Sequence, residues 1–301
     1  MSLIALDYGE FFATLSTRGG ALWSFEMRHQ GQTFPLLQIR GDAASDGAGL
    51  SGCFPLVPFG NRVRDNGFVL AGKHHVFLAN TDDDPFYLHG DGWLGEWHIV
   101  EHSQSRCLLS FEKQQDAQGA ASPYVYRATE DITLDDEGLI LTLTVTNQGD
   151  ETLPFGLGWH PFFPLTSRTK LTARASHYWT EESDRLPGSR ETLPCALDFN
   201  EARPLPDHWV NNGFEGWDGL AEIVWSDDNL ILEIRASDLF TRYQIFVSDI
   251  SFDPTYKKDF FCFEPMSHAV DAHNQAGLAG LRLLEPGASL CGSMRLHPRI
   301  G

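Results

Sequence analysis

A histidine that follows two glycines, His160, is the first residue whose surroundings suit chemistry. If residues 153–163 form one strand, Gly156, Gly158 and His160 share a face, because side chains alternate across a strand. Glycine inside a strand often marks a place where another group approaches closely, and a ligand could approach the imidazole here. The alternative is a core histidine that hydrogen-bonds to a backbone carbonyl. His160 is therefore a candidate acid or base at a ligand site.

A carboxylate in an apolar run, Glu264, is the second candidate. Residues 259–265 are almost wholly apolar before the glutamate, and they predict a strand that ends at Pro265. Burial in such a run raises the pKa of a glutamate from about 4.3 toward neutrality, as a general base at pH 7 requires. The alternative is a glutamate that caps a strand edge or pairs with an arginine.

Polar side chains on glycine-rich turns form a third group. Asn61 and Arg62 follow a Pro-Phe-Gly turn, and His89 lies in a Leu-His-Gly-Asp-Gly run. An amide, a guanidinium and an imidazole supply the hydrogen bonds that a hydroxylated ligand needs. Trp93 and Trp217, on glycine-flanked loops, could stack on a sugar face, whereas most of the eight tryptophans are expected in the core.

Strands joined by tight turns must position these side chains. Residues 139–146 alternate apolar and β-branched side chains with a period of two, which predicts a half-buried strand, and residues 124–134 predict its hairpin partner. Further strands are predicted at residues 4–6, 11–15, 21–27, 221–225, 230–234, 243–247 and 260–263. No segment has a sustained helical period, and residues 183–207 predict a long surface excursion. We therefore predict one all-β domain over residues 1–301, a large antiparallel β-sandwich with few short helices.

Composition argues against several kinds of partner and cofactor. The net charge of −19 repels polyanions and no window clusters Lys and Arg, so neither nucleic acid nor an anionic membrane is expected as a partner. The five cysteines lack a Cys-x-x-Cys spacing, and neither a metal-ligand motif nor a glycine-rich nucleotide motif is present. The N-terminal apolar run is too short for a signal peptide, and no run reaches the ~20 residues of a membrane helix. A cytoplasmic location without a metal or cofactor is expected.

Four short motifs occur in an order that is typical of one known family. They are Asn-Arg at 61–62, Leu-His-Gly at 88–90, His-Pro-Phe-Phe at 160–163 and Phe-Glu-Pro at 263–265. With Leu-Glu-Pro-Gly at 284–287 and Met-Arg-Leu at 294–296, they make the chain resemble the aldose 1-epimerase (mutarotase) family over about residues 10–297. The resemblance implies a β-sandwich of the galactose mutarotase type that works without a cofactor and holds its pocket on one sheet.

The resemblance also implies a role for each matching residue. His160 matches the family's general acid and Glu264 its general base, whereas Arg62 and His89 match the pair that binds the sugar. Asn61, beside Arg62, is expected to take part in sugar binding.

One position departs from the family's pattern. The family usually has a sugar-binding aspartate ahead of a phenylalanine in the region that aligns with residues 210–214, and this chain has Asn211 there. Asn211 could still bond a sugar hydroxyl, and Asp218 lies close by in the sequence. Either residue could therefore take the aspartate's role, and the departure bears on which sugar is bound.

The predicted function is interconversion of the α and β anomers of a free aldohexose such as galactose or glucose, by a monomer or homodimer. A base takes the proton of the anomeric hydroxyl and an acid protonates the ring oxygen, so the C1–O5 bond breaks and the ring re-closes. A hexose-6-phosphate epimerase is the close alternative, and it would need a basic pocket to which Arg62 and Arg64 could contribute. A non-catalytic carbohydrate-binding sandwich is the alternative outside enzymes.

Overall fold

Antiparallel strands make up most of the protein. A computed structural model describes residues 2–115 and 122–301, and all its helices are short 3₁₀-helices. The strands are β1 Leu3–Tyr8, β2 Phe11–Ser16, β3 Ala21–His29, β4 Gln32–Pro35, β5 Pro55–Leu56, β6 Gly67–Leu70, β7 Lys73–Val76, β8 His98–His102, β9 Arg106–Lys113, β10 Tyr126–Asp135, β11 Gly138–Asn147, β12 Leu153–Phe155, β13 Gly158–Trp159, β14 Phe162–Pro164, β15 Thr169–Ala173, β16 His177–Glu181, β17 Pro187–Glu191, β18 Arg203–Pro204, β19 Val210–Glu215, β20 Leu220–Trp225, β21 Leu230–Ala236, β22 Arg242–Val247, β23 Phe260–Met266, β24 Arg282–Leu284 and β25 Ser289–Ile300. The 3₁₀-helices are Ala48–Leu50, Arg64–Asn66, Gly92–Leu94, Cys195–Leu197, Ala272–Asn274 and Ala276–Gly280. None of the helices in this part of the chain is long and apolar enough to cross a membrane.

Two large sheets dominate the architecture. One has nine strands in the order β18-β15-β20-β21-β25-β11-β10-β9-β8, and the other has eight, β17-β16-β19-β22-β23-β13-β5 with β14 also pairing with β23. A four-stranded meander of β1 to β4 and two small two-stranded sheets, β12-β24 and β6-β7, complete the topology. The predicted class, an antiparallel all-β sandwich, is confirmed.

The predicted hairpin at residues 124–146 is also confirmed, although its first strand begins two residues later than predicted and its second is one residue longer at each end. Strands β10 and β11 pair in register from Tyr126–Asn147 to Asp135–Gly138. Gly138 closes the turn with a φ of +126°, and a Cβ there would lie 2.3 Å from the carbonyl oxygen of Leu296. Only glycine fits this combination of backbone angle and close approach, so the turn fixes the register of the hairpin.

The two large sheets enclose a common apolar core. Trp159 on the eight-stranded sheet donates from Nε1 to Oε1 of Glu130 on the nine-stranded sheet, 3.1 Å away. The hydroxyl of Tyr243 likewise donates to the carbonyl oxygen of Ala173 at 3.1 Å. Buried polar groups are stable only when hydrogen-bonded, so these bonds help fix how the sheets face each other. A core shared by both sheets is what a single domain would have, and the single domain over residues 1–301 stays a prediction.

The predicted surface excursion at residues 183–207 is only partly irregular. It contains β17, an edge strand of the eight-stranded sheet, and β18, an edge strand of the nine-stranded sheet. Both are short and mostly exposed, which explains why no apolar alternation marks them in the sequence.

Glu130 provides a prediction about stability. Its side chain is buried, and burial raises its pKa from 4.5 to about 8. Between these pH values the unfolded chain ionises Glu130 while the folded protein keeps it protonated, so the free energy of unfolding falls as pH rises. Glu130→Gln removes this loss and retains an acceptor for Trp159. We expect its stability gain over the wild type to be about 3 kcal/mol larger at pH 7.5 than at pH 5.

Urea denaturation at both pH values measures this difference. Glu222→Gln is the control, because Glu222 is partly exposed and pairs with Arg299 at the surface. A Glu130→Gln gain that is equal at pH 5 and pH 7.5 would show that Glu130 ionises normally in the fold.

Candidate functional site

A cleft opens on the eight-stranded sheet, with an empty volume of about 750 Å³ that includes open solvent at its mouth. Its walls are Arg40, Gly49, Phe54, Asn61, Arg62, Leu88, His89, Trp93, His160, Phe162, Arg185, Trp209, Asn211, Phe246, Phe252 and Glu264. The cleft brings together six of the seven residues that the sequence singled out for catalysis or sugar binding.

Strand β23 carries Glu264 to the floor of the cleft. Phe261 and Phe263 point into the main core, so Glu264 and Cys262 point to the opposite face. The strand continues through Pro265, which faces Tyr243 in the register, so the prediction that it ends at the proline was wrong. Every residue of β23 is buried, so the strand itself is as buried as the apolar sequence indicated, whereas the cleft that Glu264 faces contains polar side chains.

The electrostatics of Glu264 follow from that position. The side chain is almost completely buried, and burial raises its pKa to about 8, opposed by the charge of Arg62. Its Oε2 atom is buried and has no hydrogen-bond partner within the described part of the chain. A buried polar atom without a partner is costly, so this oxygen is available to a ligand.

His160 follows β13 and faces Glu264 across the cleft. Its backbone N–H donates to the carbonyl oxygen of Phe54 at 2.9 Å. Its ring stacks against the rings of both Phe54 and Phe162, with both centroid distances 4.7 Å, which fixes its orientation. The Nε2 atom is 3.3 Å from Oε1 of Glu264. Burial, with the nearby charge of Arg40, lowers the pKa of His160 to about 3.

The two glycines before His160 do not serve a ligand. Residues 153–163 form three short strands rather than one, because β12, β13 and β14 are separate. A Cβ on Gly156 would lie 2.4 Å from Nδ1 of His268, and one on Gly158 would lie 2.8 Å from the carbonyl oxygen of Pro265. The glycines therefore make room for neighbouring protein groups, and the prediction that they leave space for a ligand was wrong.

Asn61 and His89 are held together by backbone hydrogen bonds. The Asn61 N–H donates to Nδ1 of His89 at 3.0 Å, and the His89 N–H donates to the carbonyl oxygen of Asn61 at 3.0 Å. Because a backbone N–H can only donate, Nδ1 is the unprotonated nitrogen of this ring. Burial lowers the pKa of His89 well below its usual value, so the ring is neutral and its proton is on Nε2.

Arg62 is fixed by a buried carboxylate. Its Nε and Nη2 atoms donate to Oδ2 of Asp84 at 2.9 and 2.5 Å, and both side chains are buried. Arg185, in the turn between β16 and β17, lies 3.6 Å from the same oxygen. One carboxylate therefore holds two guanidinium groups at one wall of the cleft.

Removal of the Asp84 charge should destabilise the protein. Asp84→Asn leaves Arg62 buried without a counter-charge, and breaking a buried ion pair from one side costs about 3–5 kcal/mol. We expect the free energy of unfolding in urea to fall by about 3 kcal/mol. Asp227→Asn is the matched control, because the Arg168–Asp227 pair is exposed and should contribute little. Equal effects of the two variants would contradict this account of Arg62.

Asn211 belongs to a hydrogen-bonded chain along the floor of the cleft. Its Oδ1 accepts from Nε2 of Gln244 at 2.7 Å, and its Nδ2 donates to Oε1 of Glu181 at 2.5 Å. The other oxygen of Glu181 accepts from Nε1 of Trp209 at 2.6 Å. This chain sets the indole of Trp209 against Phe246 and forms an aromatic wall for the cleft.

Asp218 does not reach the cleft. It lies in the exposed loop between β19 and β20, where its Oδ1 accepts from the Leu220 N–H and its Oδ2 is 3.7 Å from Nη1 of Arg174. Of the two residues considered for the aspartate's role, only Asn211 lines the cleft. Trp217 is also remote, because it is buried in the core, whereas Trp93 lines the cleft.

Comparisons with known proteins identify the relatives of this chain. A family model described as aldose 1-epimerase matches residues 2–297. The chain belongs to the aldose 1-epimerase family. Within this family it is 43% identical over 300 residues to the uncharacterized protein YphB of Escherichia coli strain K12, with 99% of both proteins covered.

Solved structures agree with the assignment to the aldose 1-epimerase family. The crystal structure of a candidate aldose 1-epimerase from Escherichia coli K12 is 42% identical, covers 100% of this chain and 99% of its own, and has a TM-score of 0.93. A galactose mutarotase-like protein from Clostridium acetobutylicum has a TM-score of 0.83 at 19% identity, with 99% and 95% of the chains covered. At that identity the likeness concerns the fold alone.

Several residues of this epimerase-family cleft escaped the sequence analysis. They are Arg40, Phe54, Phe162, Arg185, Trp209, Phe246 and Phe252, together with Asp84, which holds Arg62 from outside the lining. They come from loops and strand ends that are far apart in the sequence, so no local spacing connects them. Arg64, which the sequence suggested for a phosphate, instead pairs with Glu182 and lies near Asp271, outside the cleft lining.

Within residues 2–115 and 122–301, no group of three or more His, Cys, Asp and Glu side chains is arranged to hold a metal ion.

Proposed function

We propose that this protein is an aldose 1-epimerase that interconverts the α and β anomers of an aldohexose by opening and closing its ring. The observation that carries the proposal is the 3.3 Å separation of His160 Nε2 and Glu264 Oε1 in the cleft. The anomeric hydroxyl oxygen and the ring oxygen are bonded to the same carbon, C1. An acid and a base that act on both must therefore lie close together.

The two groups hold one proton between them near neutral pH. Burial favours the uncharged form of each, so the proton resides on Glu264 while His160 is neutral. Transfer of this proton to His160 Nε2, which lies 3.3 Å from Oε1, would give a carboxylate base and an imidazolium acid. The attraction between these charges offsets part of their desolvation cost.

Ring opening then needs two proton transfers. Glu264 takes the proton of the anomeric hydroxyl, His160 donates a proton to the ring oxygen, and the C1–O5 bond breaks to give the open-chain aldehyde. Rotation about C1–C2 and the reverse transfers close the ring to the other anomer. After opening, Glu264 is protonated and His160 neutral, the uncharged state that burial favours.

The neighbouring groups would orient the sugar. His89 carries its proton on Nε2, so it would donate to a sugar oxygen, and the fixed guanidinium of Arg62 would do the same. Asn211 keeps one amide hydrogen and one lone pair for a hydroxyl. The aromatic wall formed by Trp209 and Phe246 supports stacking of an apolar sugar face.

Polarimetry tests the proposal. We expect the protein to accelerate the change in optical rotation of freshly dissolved α-glucose or α-galactose above the rate in buffer. A carbohydrate-binding sandwich would bind a sugar without any acceleration, because binding needs no acid and base. Absence of acceleration with neutral, phosphorylated and carboxylated aldoses alike would refute an epimerase activity.

A further inference from the structure

The cleft is positively charged although the chain is strongly acidic. Arg40, Arg62 and Arg185 line it, and Glu264 is the one carboxylate among its lining residues in the described part of the chain. The net charge of the whole chain is −19, so this concentration of guanidinium groups opposes the general composition. Neutral sugars need hydrogen bonds but no positive charge.

A single carboxylate offsets two of these arginines. Asp84 lies 2.5 Å from Nη2 of Arg62 and 3.6 Å from Nη1 of Arg185. The guanidinium of Arg185 also lies over the ring of Phe252, 4.7 Å from its centroid, at the aromatic wall. This side of the cleft therefore retains an excess positive charge.

Arg40 has no carboxylate within 4.0 Å among the described residues. Its Nη2 donates to the carbonyl oxygen of Gly49 at 2.9 Å, and its buried Nε has no acceptor. Asp253 and Asp259 are near enough to act on it electrostatically but form no ion pair with it. A partly buried guanidinium that forms no ion pair with a carboxylate is suited to bind an anion through charged hydrogen bonds.

The position of Arg40 indicates where on the sugar the anion would be. Its guanidinium lies 4.6 Å from the centroid of the Phe162 ring, and the imidazole of His160 also stacks on that ring, at 4.7 Å. Arg40 is thus one aromatic ring away from the proposed acid. His160 would protonate the ring oxygen, and the carbon next to that oxygen on the side away from C1 is C5.

We propose that the aldose bound in this cleft carries an anionic group on its C5 substituent, a phosphate ester or a carboxylate, and that Arg40 binds this group. The inference rests on the proposed function, because the direction of the sugar follows from the role of His160. Arg40 would then be a residue that determines specificity. The preferred substrate would be a sugar phosphate or a uronate rather than a neutral hexose.

Anomer exchange measured by NMR saturation transfer between the two anomeric protons tests the inference in equilibrated sugars. The neutral substrates are glucose and galactose, and the anionic substrates are glucose 6-phosphate and glucuronate. Comparing the two anionic sugars distinguishes a preference for a phosphate from a preference for a carboxylate. We expect kcat/KM for at least one anionic sugar to exceed that for its neutral parent at least tenfold. We expect Arg40→Met to reduce this preference by about 10- to 100-fold, because charged hydrogen bonds are lost.

Two controls make the result specific. Arg40→Lys keeps the charge and should retain part of the preference, whereas Arg168→Gln changes an exposed arginine outside the cleft and should retain all of it. A wild-type protein that is faster on glucose or galactose than on both anionic sugars overturns the inference and leaves the proposed function intact. An Arg40→Met variant that lowers kcat/KM equally for neutral and anionic sugars would also overturn the inference and leave the proposed function intact. Inactivity on every sugar refutes the epimerase activity itself, so the two failures are distinguishable.

Discussion

Glu264→Gln should reduce kcat for anomer interconversion by about 10²- to 10⁴-fold, the contribution typical of a general acid or base. Glutamine has nearly the shape of the protonated glutamate, so the packing around β23 should persist, but it cannot take the proton of the anomeric hydroxyl. The same change should stabilise the fold above pH 5, because the unfolded chain ionises Glu264 well before the folded protein does, at about pH 8. Loss of activity together with a gain in stability would exclude misfolding as the cause.

Glu130→Gln is a matched control for this variant. Glu130 is also a buried glutamate whose pKa burial raises to about 8, but it bonds to Trp159 between the sheets and does not line the cleft. Both variants should gain stability, and only Glu264→Gln should lose activity, as measured by polarimetry and urea denaturation. Equal loss of kcat in both variants would mean that the effect comes from general rearrangement of the core.

His160→Gln is expected to have a comparable effect, with a loss in kcat of about 10²- to 10⁴-fold. Glutamine can still hydrogen-bond to a sugar oxygen, but it cannot deliver a proton to the ring oxygen. Because the side chain packs against both Phe54 and Phe162, a thermal melt should accompany the assay. A His160→Gln variant that is folded and retains the wild-type kcat would remove His160 from the mechanism.

The pH dependence of the wild type follows from the shared proton. Burial lowers the pKa of His160 to about 3 and raises that of Glu264 to about 8, and the two apparent values belong to the pair. Between these values the pair holds one proton, and above about pH 8 it holds none, so no acid remains to protonate the ring oxygen. We expect kcat/KM, corrected for the rate in buffer, to be level from pH 5 to 7 and to fall above about pH 8. A rate that keeps rising through pH 9 would contradict this.

Local patterns in the sequence predict several strands of the fold and both residues of the proposed catalytic pair. The period-two alternation of β11 and the apolar run of β23 depend on neighbours within a few residues, and both strands form where these patterns predict them. Glu264 and His160 could be singled out for the same reason, because one follows an apolar run and the other a recognisable motif. Local pattern did not reveal how far β23 extends, because a proline inside a strand is uncommon.

The charge of the cleft could not be predicted in this way. Arg40, Asp84 and Arg185 approach the cleft from three separate loops or strand ends, and only the three-dimensional packing determines which of them keep a counter-charge. The net charge of the chain pointed away from an anionic ligand, whereas the local arrangement favours one. The glycines before His160 were misinterpreted for a related reason, because the group that approaches Gly156 is His268, which is distant in the sequence.

The most direct test of the central claim is the anomer exchange rate of the wild type, Glu264→Gln, His160→Gln and the double variant on one aldose. Because acid and base act on the same sugar in one step, removal of either should leave the other ineffective. We predict exchange well above the buffer rate for the wild type and a similar low residual rate for all three variants. A single variant that exchanges anomers as fast as the wild type would contradict a shared catalytic pair.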